Sequence, residues 1–125
     1  MNHSRHYSIE QANAALEFVG ERLERLRDAR VRLGDDEARE ALAEAGPQNG
    51  GGGPGKQVSA AFLDLRNALT ELQEMDVVLR DLERGLVDFP ALRDGREVYL
   101  CWEAGEDEIE FWHDTDAGYG GRRPL

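Results

Sequence analysis

Apolar positions recur along this chain with two different periods. From Ser8 onward, Ala12, Leu16, Val19, Leu23, Leu26 and Leu33 follow at spacings of four and three, interrupted only at Arg30. That spacing keeps one stripe on one helical face, close to a coiled-coil seam. Ser8 and Gln11 form the reciprocal pair of a capping box, and Glu10 places negative charge at the positive end of the helix dipole. Gly34 breaks the run, and Asp35 and Asp36 can cap a short further helix through Ala45. The first helical region is therefore predicted over residues 8–45, behind a seven-residue tail.

A second stripe is more regular. Val58, Leu65, Leu72 and Leu79 repeat every seven residues, Ala61, Ala68, Met75 and Leu82 fill the second seam position, and Phe62 and Leu69 widen the face. One unbroken helix is predicted over 57–84, with Gly85 as its left-handed cap. Between the helices, six of the ten residues 46–55 are glycine, the composition of a flexible loop. Two helices of about 40 Å each with such a join form an antiparallel hairpin. Their wide stripe needs a cover: a sheet from the same chain, a second copy, or both.

After Gly85 the period becomes two. Asp94-Gly95 is a two-residue hairpin turn pairing 88–93 with 96–101, and Pro90, lacking an N–H, places the first strand at an edge. A second turn from Glu103 to Glu108 sets Trp102 opposite Ile109, Leu100 opposite Phe111 and Val98 opposite His113 on one face. Tyr99, Cys101, Glu110 and Trp112 then share the other. Three antiparallel strands over 86–114 and an irregular tail over 115–125 complete an α+β domain spanning 1–125.

Composition narrows the function. The net charge of −11 gives no block with a basic excess beyond the N-terminal tail, which argues against nucleic acid and anionic membranes as partners. The lone Cys101 excludes an internal disulfide, and no apolar run is long enough to span a bilayer, so a cytoplasmic protein is expected. Arg22, Arg25, Arg27, Arg30 and Arg32 scatter around the first helix among acids, which reads as a solvated, ion-paired surface. Gly50 to Lys56 resembles part of a phosphate-binding loop, but Gln57 stands where a magnesium-holding hydroxyl belongs and a helix precedes it.

The opening Tyr7-Ser8-Ile9-Glu10-Gln11-Ala12-Asn13-Ala14-Ala15-Leu16 and the tail are similar to a known family. The tail motifs are Val87-Asp88-Phe89-Pro90, Asp94-Gly95-Arg96-Glu97-Val98, Cys101-Trp102, and Trp112-His113 with Asp116, Gly118, Gly121, Arg122 and Pro124. The chain resembles the prokaryotic domain-of-unknown-function family numbered 2203 over nearly its full length except 34–55. The resemblance implies no activity.

The candidate chemistry gathers in the sheet and tail. His113, Asp114 and Asp116 are a His–carboxylate cluster at a strand end, candidates for a metal or an acid/base pair, with Asp88 as the one other carboxylate within reach. His113 otherwise finishes the apolar face. Arg122 either holds a small anion or pins the tail by pairing with Asp88 or Asp116. Tyr99 and Trp112 form a contact surface unless the tail covers them. Cys101 has no activating cation opposite it.

No cofactor and no metal is called for. The leading expectation is a non-catalytic interaction or scaffold domain, homodimeric through its helices, for a protein partner that the sequence does not name. The alternative is a small-molecule or metal-dependent enzyme or ligand binder with a site of Asp88, Tyr99, Trp112, His113, Asp116 and Arg122.

Overall fold

A computed structural model describes residues 2–34 and 59–125. The glycine-rich stretch 46–55, the phosphate-loop resemblance, the short helix through Ala45 and the predicted start of the second helix at Gln57 lie outside them. Helix α1 runs Ile9–Leu33, and its capping box forms as predicted: Ser8 Oγ accepts from the Gln11 N–H, and the Ser8 N–H donates to Gln11 Oε1. Helix α2 runs Ala60–Glu74, with Ser59 accepting from the Phe62 N–H. The pair is antiparallel. Arg22 Nε meets Glu71 at 2.6 Å, Arg32 Nη2 meets Asp64 at 2.7 Å, and the Tyr7 hydroxyl donates to the Met75 carbonyl at 2.7 Å. The arginines of α1 thus spend their charge on neighbouring acids, on α2 and on the turn at residues 82–85, where Arg30 pairs with Glu83.

The second helix stops at Glu74, ten residues short of the predicted rod. The stop is a Schellman cap. Val77 N–H bonds the Leu72 carbonyl, Asp76 N–H bonds the Gln73 carbonyl, and Asp76 takes the left-handed position at φ 61°. An aspartate in the place where glycine is usual hides the boundary. Leu79 and Leu82 continue the seven-residue repeat yet reach the same core from strand β1 (Val78–Asp81) and from the turn after it.

Four further strands follow: β2 (Leu86–Arg93), β3 (Arg96–Glu103), β4 (Phe111–Asp114) and β5 (Arg123–Pro124). They form one antiparallel sheet in chain order, β1-β2-β3-β4-β5, with five strands rather than three. The extra two come from the segment read as helix and from the tail read as irregular. The core lies between sheet and helices. Val87, Phe89, Ala91, Val98, Leu100, Trp102 and Trp112 of the sheet pack with Leu23, Leu26, Leu65 and Leu72 of the stripe. The sheet therefore covers its own helices. Among the described residues no helix is long and apolar enough to cross a membrane.

The Asp94-Gly95 turn forms with both residues at positive φ, 53° and 76°, and sets β2 against β3 in the predicted register. Pro90, however, lies in an interior strand. It is tolerated because β1 faces only Leu86 to Asp88, so no ladder partner asks for the missing N–H, and the Pro90 carbonyl accepts from the Tyr7 N–H at 2.7 Å.

The β3–β4 register differs by one residue. Leu100 opposes Trp112 and Tyr99 opposes His113. A turn does form around Gly105, where the Glu106 N–H donates to the Glu103 carbonyl, but it does not close at Glu108. Residues 104–110 make a longer connection, in which the Trp102 indole N–H donates to the Glu106 carbonyl and the Ile109 N–H to Asn13 Oδ1. A one-residue slip exchanges the faces of a strand. Trp112 enters the core, and His113 moves to the outer face.

Gly85 serves the turn between β1 and β2 rather than a helix end. Its φ is 66°, and an added Cβ would overlap the Arg27 guanidinium and lie 2.5 Å from Ala104 Cβ. Gly85→Ala is expected to cost about 2 kcal/mol or more, read as a lower urea midpoint at unchanged slope. An unchanged midpoint would contradict the turn geometry.

Candidate functional site

The outer face of the sheet, away from the helices, carries the chemistry. Asp88 on β2 stands directly opposite Cys101 on β3, and His113 on β4 stands opposite Tyr99 on β3. Alternation places all four on one face. Asp88, Cys101 and His113 are each no more than 2% exposed. An isolated carboxylate at that depth is costly, and here it is met by two cations. His113 Nε2 lies 2.9 Å from Asp88 Oδ1, and Arg80 Nε, from β1, lies 2.8 Å from Asp88 Oδ2.

The second nitrogen of His113 is also committed. Nδ1 lies 2.7 Å from the Asp114 carbonyl. A carbonyl and an ionised carboxylate only accept, so both ring nitrogens carry hydrogen and the ring is an imidazolium. Burial by itself would lower the pKa of His113, but the hydrogen bond to Asp88, aided by Cys101, the Asp114 carbonyl and the Asp88 charge, raises it from 6.5 to about 10. Tyr99 packs beside this ring with centroids 5.5 Å apart, under the Arg80 guanidinium. Burial raises the pKa of Tyr99, more than the nearby Arg80 charge lowers it.

Above the three buried side chains opens a cleft of about 330 Å³. Asp88, Cys101 and His113 lie on its lining, with Arg80, Leu86 and the segment from Thr115 to Tyr119. One ion-paired acid, one imidazolium and one thiol are thus presented to a small concave space, the setting in which perturbed groups do chemistry or hold ligands.

Both chain ends close the rest of this face. Glu97 accepts from the backbone N–H groups of Asn2 and His3 at 2.9 and 3.1 Å, and its Oε2 lies 2.8 Å from His6 Nε2. Burial would raise the Glu97 pKa, but these hydrogen bonds, led by that of His6, lower it. His3 Nε2 reaches the Tyr99 hydroxyl at 2.7 Å. Residues 2–7, read from sequence as a tail, are a strap.

The predicted site residues separate. Asp88, Tyr99 and His113 come together, and Asp116 joins them at the exposed rim. Trp112 is on the opposite face, in the core. Asp114 turns away to Arg96 at 2.9 Å. Arg122 pins the tail, though through Glu106 at 2.7 Å and by packing on Phe111, with no bond to Asp88 or Asp116. Tyr99 is covered by the N-terminal strap rather than by the C-terminal tail, and no exposed Tyr99–Trp112 surface exists. Cys101 and Arg80 were missed. The Asp94-Gly95 register already sets Asp88 against Cys101, a usable signal, whereas Arg80 was hidden by the helix reading of 57–84.

The model of a family described as an uncharacterized conserved protein, DUF2203, matches residues 5–125. No curated protein and no solved structure matches the chain significantly.

Because the folded pKa of His113 lies above its unfolded value, its pairing stabilises fully below about pH 6.5 and the contribution fades as pH rises through about 10. Nitrogen-15 spectra are expected to show the His113 ring protonated on both nitrogens from pH 6 to about 9. In Asp88→Asn the ring should be neutral at pH 7. A wild-type ring titrating near 6.5 would contradict the ion pair.

Proposed function

Since the chain belongs to the DUF2203 family, a membership that brings no activity with it, we propose from its own geometry that it is a ligand-binding domain. The cleft over Asp88, Cys101 and His113 takes a small polar molecule or ion. The observation that carries this reading is the convergence of three buried ionisable side chains, from three adjacent strands, on the lining of one open cleft. A sheet face that served only as an outer surface has no need to bury an acid and an imidazolium at such desolvation cost. The rim supplies both signs of charge, Arg80 and Asp116, which suits a polar guest better than an apolar one.

The scaffold reading loses its main support. It rested on a helical stripe too wide to be left uncovered, and that stripe packs against Val87, Phe89, Leu100 and Trp112 of the same chain. A homodimer through the helices would have to use what remains outside, such as Phe18, Val31 and Leu63.

A thermal-shift panel of small carboxylates, amino acids, phosphate esters and divalent metal salts tests the proposal. At least one class is expected to stabilise the protein, by about 2.7 kcal/mol at a hundredfold excess over Kd. Gly118→Leu should abolish that shift while leaving the unliganded melting temperature nearly unchanged. Gly118 lines the cleft, its φ of −107° suits any residue, and an added Cβ meets no atom within 4 Å. A panel without effect, or a shift that survives Gly118→Leu, would overturn the reading.

A further inference from the structure

The three side chains on the cleft lining differ in donor type. Asp88 offers a carboxylate oxygen, Cys101 a sulfur and His113 a ring nitrogen, and these atoms lie within 4.8 Å of one another. A four-coordinate zinc ion has bonds of about 2.0–2.3 Å to such donors, so a side-chain shift of roughly an ångström brings all three onto one ion. The strands that carry them are hydrogen-bonded neighbours, which fixes the backbone spacing.

Each of two donors also has the outer partner that metal ligands keep. His113 Nδ1 donates to the Asp114 carbonyl, which orients the ring and leaves Nε2 pointing at Asp88. Asp88 Oδ2 accepts from Arg80 Nε, which leaves Oδ1 for the same point in space. An arriving dication displaces two protons to solvent, one from His113 Nε2 and one from the Cys101 thiol, so the net charge of the site is unchanged. Three protein donors are one short of a closed tetrahedron, and the cleft lies on the open side.

Resting on the ligand-binding reading of the cleft, we propose that Asp88, Cys101 and His113 form a coordination site for a thiophilic divalent cation of the zinc type, with its fourth position open to a small molecule. Sulfur and nitrogen donors select against magnesium and calcium, which require oxygen. An open position is the mark of zinc sites that bind or activate a ligand, as against closed structural ones.

Cobalt(II) is the probe. The full chain, stripped with a chelator, is titrated with cobalt(II) and followed by absorption. Saturation at one ion per chain is expected, with a sulfur-to-cobalt charge-transfer band in the near ultraviolet that zinc displaces. Cys101 is the chain's one cysteine, so the band reports that position alone. Cys101→Ser should remove it. Arg80→Gln should keep the band and weaken affinity by about tenfold, the usual cost of losing an outer partner. Cobalt binding without the band, or no binding, overturns the assignment. If cobalt fails while an organic member of the panel still binds the cleft, the metal assignment falls and the ligand-binding reading stands. If nothing binds, both fall.

Discussion

A carboxylate with almost no access to water stays ionised only where cations meet it, and the outer face of the sheet is organised around that demand at Asp88. Its two oxygens are divided between Arg80 on β1 and His113 on β4. The pairing crosses four strands, because Asp88 is on β2 and β3 runs between it and His113. It holds the edge strand β1, only four residues long, against the rest, and it fixes the direction of the imidazole. Removing either cation would leave the buried carboxylate with a single partner, and removing both would leave it uncompensated, a larger penalty than the net worth of the pairing itself.

The same demand explains why a two-layer fold covers both faces of its sheet. Helices α1 and α2 bury one face by ordinary apolar packing. The other is closed by the chain ends through polar contacts: Glu97 gathers the backbone of Asn2 and His3, and Arg122 ties the tail to Glu106. Between these two closures the cleft is left open over the ion pair. Its walls come from β1, β2 and the loop after β4, so the ion-paired floor stands on strands while the rim is a turn and loop from Thr115 to Gly118, with Tyr119 opening a short 3-10 helix. Rigid donors under a loop rim are a common division of labour in binding sites.

Elements set by local chemistry were legible in the sequence. Ser8 with Gln11 marks the start of α1, and Asp94-Gly95 dictates both a turn and a register that runs correctly from Arg93–Arg96 to Leu86–Glu103. Two features were not legible, each for a physical reason. Asp76 occupies a left-handed cap with no glycine, while Leu79 and Leu82 prolong a repeat that strand and helix satisfy equally, so the end of α2 was invisible. The connection 104–110 is held by contacts distant in sequence, Asn13 to Ile109 among them, so the β3–β4 register could not follow from turn residues. That single-residue error had the largest consequence. It put His113 in the core and Trp112 outside, when the true register places His113 beside Asp88 and Cys101. Asp88, Tyr99 and His113 lie together on the outer face, whereas Trp112 lies in the core and Asp114 and Arg122 pair elsewhere.

The buried cluster exists only because His113 occupies the outer face of the sheet. Nuclear Overhauser contacts between side chains report it directly in the folded protein. The His113 ring protons are predicted to contact the Tyr99 ring and the Cys101 β-protons, with the Trp112 indole contacting Leu100 methyls. Contacts from the His113 ring to Val98 methyls, with Trp112 against Tyr99, would mean that the strand lies in the other register and that no site exists at Asp88.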